Sequence, residues 1–502
     1  MSMKMQIRRT AVWVLLVCLL CGALPAPAAA AGFTDVPASS WAAPSIQRCV
    51  AQGWFQGESA TTFGMGHPMT RAAFAVVLCR FFGWEMVTPE KGTYEDVRDP
   101  SAWYFSAVET AYANGAITRQ TDTFRPADSI TREEMAAMLV RALGYGTIAG
   151  LAQPEAAPFT DTTTNAGYIA MAYELGIVNG TTATTFSPDR SATREQVAVI
   201  LDRLDQKLSG EELSRLGVVS SPEDAAALDG LDTVAVPAGR ISYNGTVQVS
   251  IFMEEDALRE IRSAVESSGA TELLRVGGSS TVLNGSAAST AEALASAVAQ
   301  GGYDGLLLDL TNLKNEQRAL LTKLVQQTAA KLGDKLLYVM ADAPGGENGS
   351  TGAYDLAALG SAADKLVLRV DAYEKTAEEL TVAPLEPLEE LYRVLVSLDG
   401  AVAPEKLSIS ISTRGVCWTE GKRSSTLNAQ QIQKLAEEGA QAYYSSRYEA
   451  AYLTWEESGK QSVVWYLDSR AMAAREQLLR LFGVDQVCFQ NVTERTTQLP
   501  EF

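Results

Sequence analysis

The stretch YDGLLLDLTN, residues 303–312, is a short apolar run opened by Asp-Gly and broken by one acid, Asp309. Seven more runs of this kind fill the second half of the chain: LGVVSS (216–221), LDTVAVP (231–237), ELLRVGG (272–278), KLLYVMAD (335–342), DKLVLRVDAY (364–373), KLSISIS (406–412) and DQVCFQN (485–491). Runs of this length read as strands. Helical segments such as EDALREIRSAVESSG (255–269) and EQRALLTKLVQQTAAKLG (316–333) separate them. Strands alternating with helices imply a parallel sheet. Eight such units in about 290 residues fit a (β/α)8 barrel of the TIM type. A doubly wound sheet is the alternative, but no Gly-rich phosphate loop follows any run. Within 303–312, strand alternation puts Leu307, Asp309 and Thr311 on one inward face.

The rest of the chain has a different texture. Its 502 residues leave room for several domains, and 47% hydrophobic with 20% charged residues describes a globular, multidomain protein. Sixty acidic against 41 basic residues give a net charge of −19, so no basic surplus is available to neutralise nucleic-acid phosphates. Lys4, Arg8 and Arg9 precede the apolar run AVWVLLVCLLCGAL (11–24) and the small residues PAPAAAAG (25–32). This order reads as a secretory signal peptide over 1–31, cut after Ala30 or Ala31. The run is too short to span a membrane comfortably, and no later stretch approaches a span. Cys18 and Cys21 follow Val17 and Leu20, not the small residues that lipoprotein processing wants. Losing the three cations takes the mature chain to about −22. Cys49, Cys79, Cys417 and Cys488 remain, all in apolar surroundings. They read as buried thiols or, for Cys49 with Cys79, as a disulfide that export permits. A single histidine, His67, leaves no His-based triad or zinc site to expect. No metal or cofactor is expected.

Self-similarity dominates the first half. FTDVPASSWAAPSIQRCVAQGWFQG begins at Phe33, YEDVRDPSAWYFSAVETAYANGAIT at Tyr94 and FTDTTTNAGYIAMAYELGIVNG at Phe159. A Thr-Arg pair recurs at 70–71, 131–132 and 193–194. Each unit reads as helix, loop, helix. Gly53, Gly115 and Gly176 suit C-terminal caps of the first helices. Turns such as Phe124-Arg125-Pro126 and Phe186-Ser187-Pro188 follow. Thr131 with Glu134 forms a capping box for a second helix, whose apolar positions Met135, Met138, Leu139 and Leu143 fall at helical spacing.

These motifs resemble those of S-layer homology domains over about residues 33–204. The resemblance implies three all-α units packed as a pseudo-threefold trimer. Such assemblies hold secreted proteins non-covalently to cell-wall secondary polysaccharide, often anionic and pyruvylated. The side-chain chemistry agrees. Residues 33–204 hold eleven Arg and one Lys, Lys91, and Arg presents a planar fork that grips carboxylates bidentately where Lys does not. Arg71, Arg132 and Arg194 start helices, where their charge opposes the helix dipole and an anion would relieve it. Trp41 and Trp103 read either as sugar-stacking platforms or as core. The third unit departs from the pattern with Tyr168 in place of Trp, and the first with Phe63-Gly-Met-Gly-His-Pro and with Met69 for Ile. The expected divisions are 32–87, 88–150 and 155–206 for the repeats, a polar hinge at 207–211 and the barrel at 212–502.

The barrel segments resemble glycoside hydrolase family 18, whose fourth strand reads Asp-Gly-x-Asp-x-Asp-x-Glu. AADKLVLRVDAYE (362–374), PEKLSISISTRGVCW (404–418) and VVWYLDSRAMAAREQLLRLFGVDQVCF (463–489) match its sixth, seventh and final strand regions. The resemblance implies a substrate-assisted mechanism in which a Glu protonates the leaving oxygen and the Asp two residues earlier orients the acetamide. Asp304, Gly305 and Asp309 match the fourth-strand pattern. Leu307 replaces an Asp, and Thr311 replaces the acid Glu. A threonine hydroxyl is no general acid near neutral pH. The sixth-strand Tyr is lost to Arg369-Val370-Asp371, and Phe489 replaces the final-strand Trp. No catalytic residue is therefore expected, with Asp371, Glu316 and Asp468 as fallback acids.

The sequence thus reads as a secreted cell-surface protein anchored to wall polysaccharide through Trp41, Arg71, Trp103, Arg132 and Arg194. Its barrel is expected to lack hydrolase activity and to bind a glycan or peptidoglycan at the C-terminal ends of its strands. Two other readings stay open: an N-acetylhexosaminidase with a relocated acid, and a passive spacer or assembly surface.

Overall fold

The computed structural model describes residues 32–490 apart from 151, 153–156, 163, 211, 220, 345–349, 371–381, 385, 399 and 413, together with 492 and 499. The expected signal peptide and Asp371 lie outside the described residues. The repeats contribute α1 (Ala43–Ala51), α2 (Arg71–Phe82), α3 (Phe105–Ala113), α4 (Arg132–Ala142), α5 (Gly146–Ala149), α6 (Ala166–Glu174) and α7 (Arg194–Leu208). Helix α7 continues into the expected hinge as far as Leu208. The chain divides into two compact units, residues 1–135 with 188–203 and residues 136–187 with 204–502.

In the first unit, three backbone hydrogen bonds close a ring. Met69 N donates to Ala192 O (2.9 Å), Ala192 N to Ile130 O (2.9 Å) and Ile130 N to Met69 O (2.8 Å). Each of these residues precedes a Thr-Arg pair, and all three are buried. The ring gives the repeats their pseudo-threefold axis. Met69, which departs from the Ile of the pattern, serves there without disturbance. Helix α2 starts on Thr70, whose side chain accepts the Ala73 amide, and ends on Gly83 at φ 64°. The capping box expected at α4 is present: Thr131 N donates to Glu134 Oε2 (3.0 Å) and Glu134 N to Thr131 Oγ1 (3.2 Å).

Asp35 and Asp96 explain the aromatic-x-Asp opening. Asp96 accepts the amides of Phe124 and Arg125, both at 2.7 Å. Asp35 accepts those of Phe63, Gly64 and Met65. Arg125 takes a positive φ of 60°, and Gly64 takes 86° at the same place. The altered turn of the first repeat therefore keeps its geometry, with glycine supplying the left-handed residue. All four described cysteines are buried thiols, and Cys49 and Cys79 form no disulfide. Their thiols donate to Ala198 O and Ala107 O.

In the second unit, Asp161 repeats this device on Phe186 and Ser187, the latter at φ 59°. The barrel strands are β1 (Ser214–Val218), β2 (Thr233–Tyr243), β4 (Thr271–Ser279), β5 (Gly305–Thr311), β6 (Leu336–Asp342), β7 (Lys365–Arg369), β8 (Leu407–Ile411) and β14 (Gln486–Phe489). They pair in parallel in that order, and β1 pairs with both β2 and β14 to close the cylinder. Each overlaps one of the eight apolar runs. Helices α8 (Glu255–Ser268), α9 (Ala287–Gly301), α10 (Arg318–Leu332), α11 (Leu356–Ala362) and α12 (Leu388–Ser397) connect them. The interior core comprises Leu216, Val218, Ala235, Leu273, Leu307, Tyr338, Met340, Val367 and Cys488.

Two features depart from the expected pattern. Strand β3 (Val247–Ile251) folds back antiparallel on β2. A five-stranded antiparallel sheet interrupts the alternation between β8 and β14. It comprises β9 (Gly415–Thr419), β10 (Lys422–Leu427), β11 (Gln441–Ser445), β12 (Ala450–Glu457) and β13 (Lys460–Tyr466), in the order β10-β9-β13-β12-β11. Helix α13 (Ala429–Glu437) lies between β10 and β11 in sequence, and α14 (Ser469–Phe482) leads to β14. Residues 415–418, read as part of the seventh-strand match, belong to this sheet. Among the described residues no helix is long and apolar enough to cross a membrane.

Candidate functional site

The barrel mouth is built from the last inward positions of its strands. On β5, Leu307 lies in the apolar core, Asp309 follows one layer higher, and Thr311 is exposed at the strand end. Leu307, a departure from the fourth-strand pattern, packs in the core. Asp309 is clamped on both oxygens. Arg275 Nη2 on β4 reaches Oδ2 at 2.5 Å, and Arg369 Nη1 on β7 reaches Oδ1 at 2.8 Å. Arg369 also donates Nε to Asp342 Oδ1 at 2.8 Å. Four alternating charges, Arg275–Asp309–Arg369–Asp342, span four strands of the barrel interior.

Burial alone would raise the Asp309 pKa. The guanidiniums of Arg369 and Arg275 outweigh it and hold the carboxyl below the usual range. Burial likewise works against the Arg369 charge, but Asp309 and Asp342 outweigh it and raise its pKa. Asp309 is therefore an ionised ion-pair partner near neutral pH, with no proton to give. Thr311 donates weakly to Gly278 O at 3.4 Å.

The other singled-out residues lie elsewhere. Asp304 sits at the N-terminal end of β5, where its Oδ2 accepts the Glu272 amide at 2.9 Å. A strand rises about 3.3 Å per residue, which puts Asp304 at the opposite end of the barrel from the mouth. Glu316 is exposed in a short 3-10 turn, Asn315–Gln317. Asp468 is buried and caps α14, accepting the Ala471 amide at 2.8 Å. Phe489 is buried.

Sequence reading missed Arg275 and Asp342, and passed Arg369 as a mere departure. The signal was available: a charge at an inward position of an apolar strand needs an opposite charge at the same height. It also missed Arg475 on α14, which is 1% exposed. Arg475 donates to Glu449 O (2.7 Å), Ala471 O (2.9 Å) and Glu386 O. Burial presses its guanidinium down to about 10, leaving it charged at neutral pH. It ties the inserted sheet, α14 and the segment before α12 together.

In the repeats, Arg71 Nε donates to Phe124 O at 2.8 Å, its guanidinium lies 4.8 Å from the Phe124 ring centroid, and Nη1 pairs with Glu134 at 2.7 Å. Arg194 copies this on Phe63: Nε to Phe63 O at 2.8 Å, with the ring 4.8 Å away, and Nη2 to Gln56 O at 2.6 Å. Each reaches from its own helix start to the turn of another repeat. Arg132 is buried. Trp41 and Trp103 are not core; they are 63% and 68% exposed.

The described chain thus comprises three helical repeats and a closed parallel barrel. The chain carries three S-layer homology domains, matched at residues 32–75, 93–136 and 158–198. Curated relatives include an endoglucanase of Bacillus sp. (strain KSM-635), 34% identical over 202 residues, 39% of this chain and 21% of that one. An S-layer protein of Bacillus thuringiensis subsp. finitimus is 30% identical over 190 residues, 37% of this chain and 23% of that one. The chain spans under a quarter of the length of either. The chitinase structure from Chromobacterium violaceum ATCC 12472 matches with a TM-score of 0.50 at 17% identity, covering 57% of this chain and 95% of that one. The barrel therefore has a chitinase-type, glycoside hydrolase family 18-like fold. The repeats make this a secreted protein anchored at the cell wall or surface.

Proposed function

We propose that the chain is a wall-anchored glycan-binding protein whose barrel no longer hydrolyses sugars. One observation carries this reading: the retained carboxylate, Asp309, is held ionised between Arg275 and Arg369, and Thr311 stands where an acid would protonate the leaving group. General acid catalysis contributes typically 10²–10⁴-fold, and nothing about a threonine replaces it. Aryl β-glycosides of N-acetylglucosamine are the sensitive probe, because a good leaving group needs little protonation. The full chain is expected to give no turnover of these or of chitooligosaccharides. Turnover that vanishes in Asp309→Asn would show the ancestral site still working.

The repeats grip secondary wall polysaccharide on this reading, with Trp41 and Trp103 as stacking faces and Arg71, Arg132 and Arg194 beside the ligand. An endoglucanase and an S-layer protein share this portion without sharing an activity by name, which supports an anchoring role. The two kinds of residue are separable. Trp41→Ala with Trp103→Ala should leave the melting temperature unchanged, since both rings are exposed. Covering one ring face contributes roughly 1 kcal/mol, so co-sedimentation with purified wall should weaken about thirtyfold for the pair. Arg71→Ala and Arg194→Ala should lower both affinity and melting temperature, because each also ties two repeats together. Pelleting by wall stripped of secondary polysaccharide should be insensitive to the Trp pair. Unchanged pelleting of the Trp pair would put the rings outside the groove.

A further inference from the structure

The mouth of the barrel holds an opening as well as a plug. On the inward face of β4, Arg275 is followed two residues later by Gly277, beside Asp309 in the register, and then by Ser279 beside Thr311. Among the described residues a Cβ built at Gly277 would meet only Asp309 O, at 4.0 Å, and its backbone is ordinary strand. Among those residues this inner position is therefore an unfilled recess, not a close-packing requirement. Hydroxyls rim it: Ser279 and Thr281 stand 2.7 Å apart, and the Thr311 side chain is exposed. The charges beneath it are unequal in access. The Arg275 side chain is 30% exposed, while that of Asp309 is 6% exposed. Among the described residues Nη2 of Arg275 bonds Asp309, its Nε is buried without a hydrogen-bond partner, and the exposed part of the side chain is left for an acceptor.

We propose that this recess takes a carboxylate-bearing saccharide, with the carboxylate on Arg275 and the sugar ring over Gly277 against the hydroxyl rim. The proposal rests on the glycan-binding reading of the mouth and adds the charge of the ligand. A guanidinium edge matches a carboxylate in shape and in hydrogen-bond count. Neutral chitin-type sugars offer Arg275 no such partner. A lactyl ether on peptidoglycan and a pyruvate ketal on wall polysaccharide both present this chemistry.

The test is calorimetry on the full chain with four probes: the GlcNAc–MurNAc disaccharide, the same disaccharide with its carboxyl reduced to the alcohol, a pyruvate-ketal hexosamine, and diacetylchitobiose. At least one acidic sugar is expected to bind about ten- to a hundredfold more tightly than its neutral counterparts, and which one does so identifies the source. Gly277→Val fills the recess without touching the ion pairs and should abolish that binding at an unchanged melting temperature. Arg275→Gln should abolish the preference for the acid. Reduced and acidic disaccharide binding equally, both lost in Gly277→Val, would overturn the proposal and leave the glycan-binding mouth standing. Binding of no sugar would overturn both. Binding of the acidic disaccharide that survives Gly277→Val would place the site elsewhere and overturn the proposal; pyruvate-ketal binding counts for the recess only where Gly277→Val removes it, since the repeats also face such sugars.

Discussion

Asp309→Ala is expected to destabilise the barrel by about 3–5 kcal/mol, since removing one partner of a buried ion pair strands the other charge. The loss should fall toward the lower end, because Arg369 keeps Asp342 and Arg275 reaches solvent. The urea midpoint at neutral pH measures it. The effect has a pH signature. The Asp309 pKa lies below its unfolded value of about 3.9. Its stabilisation is therefore fully present above that value and is lost as pH falls through the folded pKa. Wild type and variant should thus differ constantly from pH 7 to about 5 and converge in stronger acid. A constant gap down to pH 2 would mean that packing, not charge, accounts for the loss.

Arg475→Met should be comparably costly and more localised. Its chain length is nearly kept, but the carbonyls of Glu449, Ala471 and Glu386 lose their donor. At about 1–3 kcal/mol for each buried acceptor left unmet, a loss of about 3–5 kcal/mol is expected. Hydrogen exchange should accelerate first at the β11–β12 turn and at the start of α12, with the parallel strands β4–β6 protected until global unfolding. Uniform acceleration would mean that Arg475 is not the tie between the inserted sheet and the barrel.

The barrel was legible because its strands are largely buried and so read as predominantly apolar runs. Strand β5, with Leu306, Leu307, Leu308 and Leu310 all buried, is the clearest case. The inserted sheet was not legible. Strand β10, KRSSTL, is polar up to Leu427, and β11 and β12 carry one covered face each, so none of them stands out from loop. Its strands also pair antiparallel without intervening helices, apart from α13 between β10 and β11, which removes the alternation that marked the others. At the mouth, Thr311 was legible as a departure from the fourth-strand pattern at the end of β5. The charge clamp was not, because Arg275, Asp309, Asp342 and Arg369 are scattered over 95 residues and only barrel closure brings them to one height. Asp304 shows the converse: a residue inside the matching motif, yet five positions down the strand from the mouth.

The ring of Met69, Ile130 and Ala192 has an arithmetic consequence. Each of these residues donates to one neighbour and accepts from the other, so the circuit closes for three members and is broken by two. Deleting a single repeat does not leave two-thirds of an anchor. It leaves one amide and one carbonyl facing solvent at the axis and removes a landing turn for an arginine such as Arg71 or Arg194. The three Thr-Arg helix starts therefore behave as one structural part, each completed by its neighbours.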